Sequence, residues 1–179
     1  MAVIEAIATT YLEADATSVT FSSIPTTYEH LQIRMSSRNT LRSTTGNPTL
    51  EFNGTAGTAY STHSMSGLGS TADADSSVTG AANTRLPHMT TGNGISGTAG
   101  GVDSADFASA VIDILDYRNA NKNTTVTAVS AAALTTAGPF VSMGSGLFDD
   151  TTVITSIKLD SNGSWMRGSV FTLYGLNSS

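Results

Sequence analysis

ASAVIDILDYRNANKNTTVTAVS, residues 108–130, is the stretch on which the fold turns. It carries two carboxylates, Asp113 and Asp116, three positions apart in an apolar run. On a helix that spacing puts both on one face, roughly 5–6 Å apart at Cβ. This is close to the ~5–5.5 Å carboxylate separation of retaining glycosidases. On a strand side chains alternate, and an odd spacing sends the two to opposite faces. The residue types decide for the strand. Val111, Ile112 and Ile114 are β-branched, a class that suits pleated backbone better than helix. No continuous polar face runs through 107–117, and the turn cluster RNANKN leads into a second alternating run, TTVTAVS. Phe107, Val111, Leu115 and Tyr117 then share one face with Asp113. Ala108, Ala110, Ile112 and Ile114 take the other, with Asp116 beside Arg118. The two carboxylates are expected on opposite sides of a sheet, and a catalytic dyad is not.

The same period extends in both directions. Leu31, Ile33 and Met35 alternate with Gln32, Arg34 and Ser36, and Val19 and Phe21 alternate with Thr20 and Ser22, the signature of half-buried strands. LEFNGT (50–55) puts Leu50 and Phe52 on one face and ends in the turn dipeptide Asn53-Gly54. Further on, TTVITSIKL (151–159) aligns Val153, Ile157 and Leu159. DSNGS (160–164) then predicts a hairpin turn, and WMRGSVFTLYGL (165–176) returns with Phe171 and Leu173 aligned. About eight short strands and no helix predict an all-β, antiparallel, jelly-roll-like β-sandwich. One domain is expected over 1–179, with a loop-rich region at about 54–104. From Gly54 to Gly101 the composition is small, polar and Gly-rich. It reads as long connections packed on the surface or clamped between subunits, anchored at LPHM (86–89).

Composition narrows the function. The chain has no cysteine, so thiolate metal sites and cysteine nucleophiles are excluded. Its net charge is −6 with only 8 Lys and Arg, which argues against nucleic acid and against anionic membranes as partners, since both are bound by clustered cations. The N-terminal MAVIEAIATTYLEAD lacks the positive region of a secretory signal, and no apolar run reaches the ~20 residues of a membrane-spanning helix.

Chemical motifs are sparse. His30, His63 and His88 lie far apart without metal-ligand spacing, and DADS (73–76) and FDD (148–150) do not complete a calcium loop. GNGISG (92–97) matches G-x-G-x-x-G but lacks a βαβ context. No G-x-S-x-G elbow and no phosphate-binding loop occur. Asn53, Asn123, Asn162 and Asn177 fit N-x-[ST], mostly in turn clusters where Asn serves the backbone. Trp165, Tyr60 and Tyr117 are candidates for a sugar-stacking surface, and Glu5, Glu13, Glu29 and Glu51 are the acids a glycan hydrolase would draw on, though none stands in a pair. No catalytic, cofactor-binding or metal-binding residue is assigned.

Taken in order, SVTFSSIPTTYEHLQIRMSSR, FNGTAGTAYS, VIDILDYRNANKNTTVTA, GLFDDTTVITSIKL and SVFTLYGL resemble a group of tailed-bacteriophage virion structural proteins. The resemblance runs from about residue 3 to residue 176 and is weakest over 64–104. It implies a small β-sandwich or jelly-roll module without catalytic residues that decorates a capsid or attaches to a tail. The preferred expectation is a capsid decoration (cement) protein on the outer shell. It would be assembled in the bacterial cytoplasm and bound as a homo-oligomer, in one version a trimer at a local three-fold, to the major capsid protein or other virion subunits. Contacts are expected from the Gly-rich loops and from the N-terminal strand, with Ile4, Ala6, Ala8 and Leu12 along a neighbour's edge. The alternative is a tail, baseplate or fibre-associated module for host attachment, which predicts an exposed aromatic cluster near Tyr60 and Trp165.

Overall fold

The computed structural model describes residues 3–40, 48–55, 59–77, 107–134 and 138–178. They form eleven strands: β1 (Ile4–Tyr11), β2 (Ala16–Phe21), β3 (His30–Ser37), β4 (Thr49–Phe52), β5 (Tyr60–Leu68), β6 (Thr71–Ser77), β7 (Ala108–Leu115), β8 (Thr124–Leu134), β9 (Gly138–Phe148), β10 (Ile157–Trp165) and β11 (Val170–Leu176). Every pairing is antiparallel. Eight strands make one sheet in the order β1-β11-β3-β7-β8-β9-β5-β6, and β2-β10-β4 make the second. The main core lies between them. Val19, Phe21, Leu50, Phe52, Ile157 and Leu159 of the small sheet meet Ile33, Ile112, Ile114, Phe171 and Leu173 of the large one in a single buried cluster. The all-β antiparallel sandwich expected from the alternation is the observed architecture. Its strands divide unequally, eight and three, where a jelly roll shares eight between two sheets.

The period-2 segments fold as their patterns require. In β7 burial alternates strictly, with Ala108, Ala110, Ile112 and Ile114 inward and Val111 and Asp113 outward. Leu31, Ile33 and Met35 are the buried positions of β3. After β4, Asn53 (φ +52°) and Gly54 (φ +70°) make a tight turn closed by the Thr55 N–H donating to the Phe52 carbonyl at 2.8 Å. Positive φ at both central residues is the type I′ geometry that the Asn-Gly dipeptide favours. Tyr60 seals this turn from below. Its hydroxyl accepts from the Phe52 N–H and donates to the Thr55 carbonyl, both at 2.9 Å, and burial pushes its pKa up to about 12.

Four expectations are corrected. Tyr117 does not share the outward face of Val111. Asp116 takes φ +57° and breaks the alternation, so Tyr117 turns inward to 1% exposure and its hydroxyl donates to the Pro25 carbonyl. The strand expected over 151–159 starts only at Ile157, and Ile154 rather than Val153 fills the core. The turn expected at Asn162-Gly163 is interior to β10, where the register slips between Asp160 and Trp165. Trp165 causes this: it is fully buried, its indole N–H donates to the Leu159 carbonyl at 3.2 Å, and it regains pairing with Ala16. The chain reverses later, at Gly168 (φ +88°), where the Ser169 N–H donates to the Met166 carbonyl. β10 and β11 thus enter different sheets instead of forming a hairpin. Within the region read as connections, residues 60–77 form a hairpin, β5–β6, that extends the large sheet. The LPHM and GNGISG stretches and His88 lie outside the described residues.

Candidate functional site

Of the described residues singled out for chemistry, Glu29, His30 and Asp116 border one open pocket of about 320 Å³ with Arg118 and Asn119, and the rest lie apart. Asp113 faces outward on β7 and accepts a hydrogen bond from the Gln32 side chain at 2.7 Å. Asp116, beyond the strand end, accepts from Lys122 Nζ at 2.9 Å, and its own backbone N–H donates to His30 Nδ1 at 3.0 Å. His30 and His63 sit on β3 and β5, four strands apart in the sheet, roughly 19 Å at the usual strand spacing. Among the described residues no three His, Asp or Glu side chains are grouped so as to hold a metal ion. DADS lies along β6 rather than in a loop. Of FDD, Phe148 is core, Asp149 accepts from the Asn123 amide, and Asp150 accepts from Thr152. Glu51 faces Lys158 at 4.0 Å, and Glu29 binds the main chain and hydroxyl of Ser178, each at 2.9 Å. The proposed sugar-stacking aromatics are all core. Trp165 packs edge-on against Phe171, Tyr60 packs tilted at 33° against Phe148, and Tyr117 is enclosed. The exposed aromatic cluster that the tail alternative required is therefore not formed by Tyr60 and Trp165.

Two of these carboxylates carry a testable pH signature. The Ser178 backbone N–H, aided by its hydroxyl, holds Glu29 below the ordinary carboxylate range, and the hydrogen bond from Lys122 does the same for Asp116. A carboxyl whose pKa is lower folded than unfolded adds stability above its unfolded pKa, and that stability fades as pH falls through the folded value. The melting temperature is expected to be level above about pH 5 and to decline below about pH 4. Glu29→Gln and Asp116→Asn should each flatten the decline, as calorimetric melts across this range would register.

The surface that stands out is the outer face of the large sheet, turned away from the core. Direct cross-strand partners share a face, so the registers Ala74↔Met65, Met65↔Met143, Met143↔Val129 and Val129↔Val111 lay one apolar row across β6, β5, β9, β8 and β7. The next row runs Ala72, Gly67, Val141, Ala131 and Ser109. Met65, Met143, Val129 and Val141 are each 51–53% exposed. Together they border an open groove of about 540 Å³ whose other walls are Gly67, Ala72, Asp73 and Ala74. Toward β3 and β11 the same face turns polar. Arg34 Nε donates to Gln32 Oε1 at 2.8 Å, Gln32 donates to Asp113, and the Arg34 guanidinium lies 5.3 Å from the centre of the Tyr174 ring. Gln32 thus ties a cation to an anion and marks where the apolar rows end.

The strand edges are less inviting. β1 carries a bulge between Ala6 and Ala8 and is paired through its other side to β11. Leu12, expected along a neighbour's edge, is buried in the core. β6 places Asp73 and Asp75 within its seven residues. Bulges and edge charges are devices that discourage strand addition.

Sequence reasoning did not single out this apolar face, though β9 held the signal. Between its buried end residues Phe140 and Phe148, its inward positions are Ser142, Gly144 and Gly146, while its outward ones are Val141, Met143, Ser145 and Leu147. A strand more apolar on its outer alternation than on its inner one marks a surface meant to be covered. No family model, no curated protein and no solved structure matches the chain.

Proposed function

We propose that this protein is a structural subunit of a particle, a decoration protein on the outer shell of a tailed bacteriophage, acting by surface burial and not by chemistry. The observation that carries the reading is the two-row apolar strip on the outer face of the eight-stranded sheet. A strip laid on a continuous antiparallel ladder presents itself without the ordering cost that a mobile segment would add. The order of the sequence segments that resemble virion structural proteins directs the reading to a phage shell. The net charge of −6 suits the outside of a shell better than the side facing packaged DNA. Shell subunits, with the major capsid protein foremost, are the proposed partners.

Copy number in purified virions tests this directly, by quantitative mass spectrometry against the major capsid protein. A ratio of order one per shell subunit is the expected outcome. A few copies per particle would transfer the protein to the tail, and absence from virions would end the reading.

A further inference from the structure

We infer that the apolar strip binds a second copy of this chain, in a two-fold, face-to-face pair of the large sheets; the inference rests on the reading of this face as an assembly surface. Charge is the first argument. Each copy carries −6, so two copies repel over most of their surfaces. The two apolar rows between β7 and β5 carry no charged side chain, and the nearest charges on the β3 side, Arg34 and Asp113, are joined through Gln32. An acidic chain meets its own copy at least cost where it is neutral. A basic partner gains nothing from this face, and an anionic membrane would require cations that the strip lacks.

Shape is the second argument. A two-fold interface needs a patch complementary to itself. Met65, Met143 and Val141 form the raised wall of the groove, a ridge, and Gly67, Ala72 and Ala74 with Asp73 form its low wall. A two-fold axis in the plane of the sheet places each ridge over the other copy's groove, with flexible methionine filling the gap. Extent is the third. Five strands at the usual spacing span roughly 24 Å, and three rows, the third being a polar rim of Asp113, Thr127, Ser145 and His63, span roughly 20 Å, or on the order of 500 Å² in projection. Side-chain relief raises the accessible area above that, into the lower range of specific reversible interfaces. The bulge on β1 and the acids of β6 disfavour the competing mode, pairing edge to edge.

Sedimentation of the isolated chain tests the pair, across roughly two decades of concentration in the micromolar range. The expected result is a rise from 18.4 kDa to twice that mass. Val129→Lys should weaken association at least about tenfold with an unchanged melting temperature, because Val129 is already half exposed. A second variant stands independent of that one. The chain contains no cysteine, so Met65→Cys, on β5 between ridge and groove where the axis falls, introduces its sole thiol and should cross-link copies under mild oxidation. Thr20→Cys, exposed on the small sheet, should not. A monomer at every concentration, a threefold mass, or a dimer indifferent to Val129→Lys would overturn the pair. A monomer that still appears at shell copy number would leave the decoration reading standing without it. A dimer absent from virions would do the reverse.

Discussion

Trp165→Ala is expected to lower the unfolding free energy by about 3–5 kcal/mol, the range for removing a large aromatic from a core. Trp165 is the one tryptophan of the chain and is fully buried. It stands at the end of β10 against Phe171 of β11, ring centres 5.1 Å apart and edge to face. It therefore joins the small sheet to the large one at the point where the chain crosses between them. Its N–H has a defined acceptor in the Leu159 carbonyl, and truncation removes that bond along with the packing. Domains of this kind hold about 5–15 kcal/mol in total, so the loss is a large share. Urea denaturation followed by far-ultraviolet circular dichroism measures it without the lost fluorophore. Trp165→Phe should recover more than half the loss. A change below about 1 kcal/mol for the alanine variant would mean that the two sheets are not held together here.

Asn53→Ala should cost about 2–4 kcal/mol, from two sources acting together. The first is hydrogen bonding. Asn53 Nδ2 donates to the Val153 carbonyl at 3.0 Å, and Oδ1 accepts from the N–H groups of Thr155 and Ser156 at 2.9 and 3.2 Å. One side chain thereby ties the turn after β4 to the segment entering β10, about a hundred residues later. The second is the backbone, since φ +52° is a conformation asparagine tolerates and alanine does not. Asn53→Gly separates the two, because glycine accepts the φ and loses only the side-chain bonds. Its expected loss is smaller than that of the alanine variant by roughly 1 kcal/mol. Equal losses would place the whole effect in the hydrogen bonds.

Asn53 also shows what was legible in the sequence. Asn-Gly after an alternating run announced the turn, because the dipeptide's conformational preference is local. The hydrogen bonds to Val153, Thr155 and Ser156 were not legible, since they depend on a contact remote in sequence. Asn162-Gly163 carries the same dipeptide yet makes no hairpin, because the burial of Trp165 outweighs the local preference. The outward place of Asp113 followed from strand period, but Asp116 lies beyond the strand end, where one positive φ ends the alternation and turns Tyr117 inward. The β5–β6 hairpin was missed because YSTHSMSGL and TADADSS have the composition of a linker. Their order comes from the ladder to β9 rather than from their own residues. The apolar strip was hidden for the same reason: five strands contribute one or two residues each, and no single segment displays it.

The place of β10 and β11 in the sheets has a consequence for synthesis on the ribosome. β10 is the middle strand between β2 and β4, and β11 separates β1 from β3. In the sandwich, three strands made early, β1, β2 and β4, find their sheet partners only in the last two strands of the chain. Pairing across such sequence distances is slow, and strands left waiting expose their backbones to other nascent chains. The sandwich closes only once Ile157–Leu176 has been translated, after every other described strand. Truncation before β10 leaves β1, β2 and β4 without their partners, however much of the sequence precedes it.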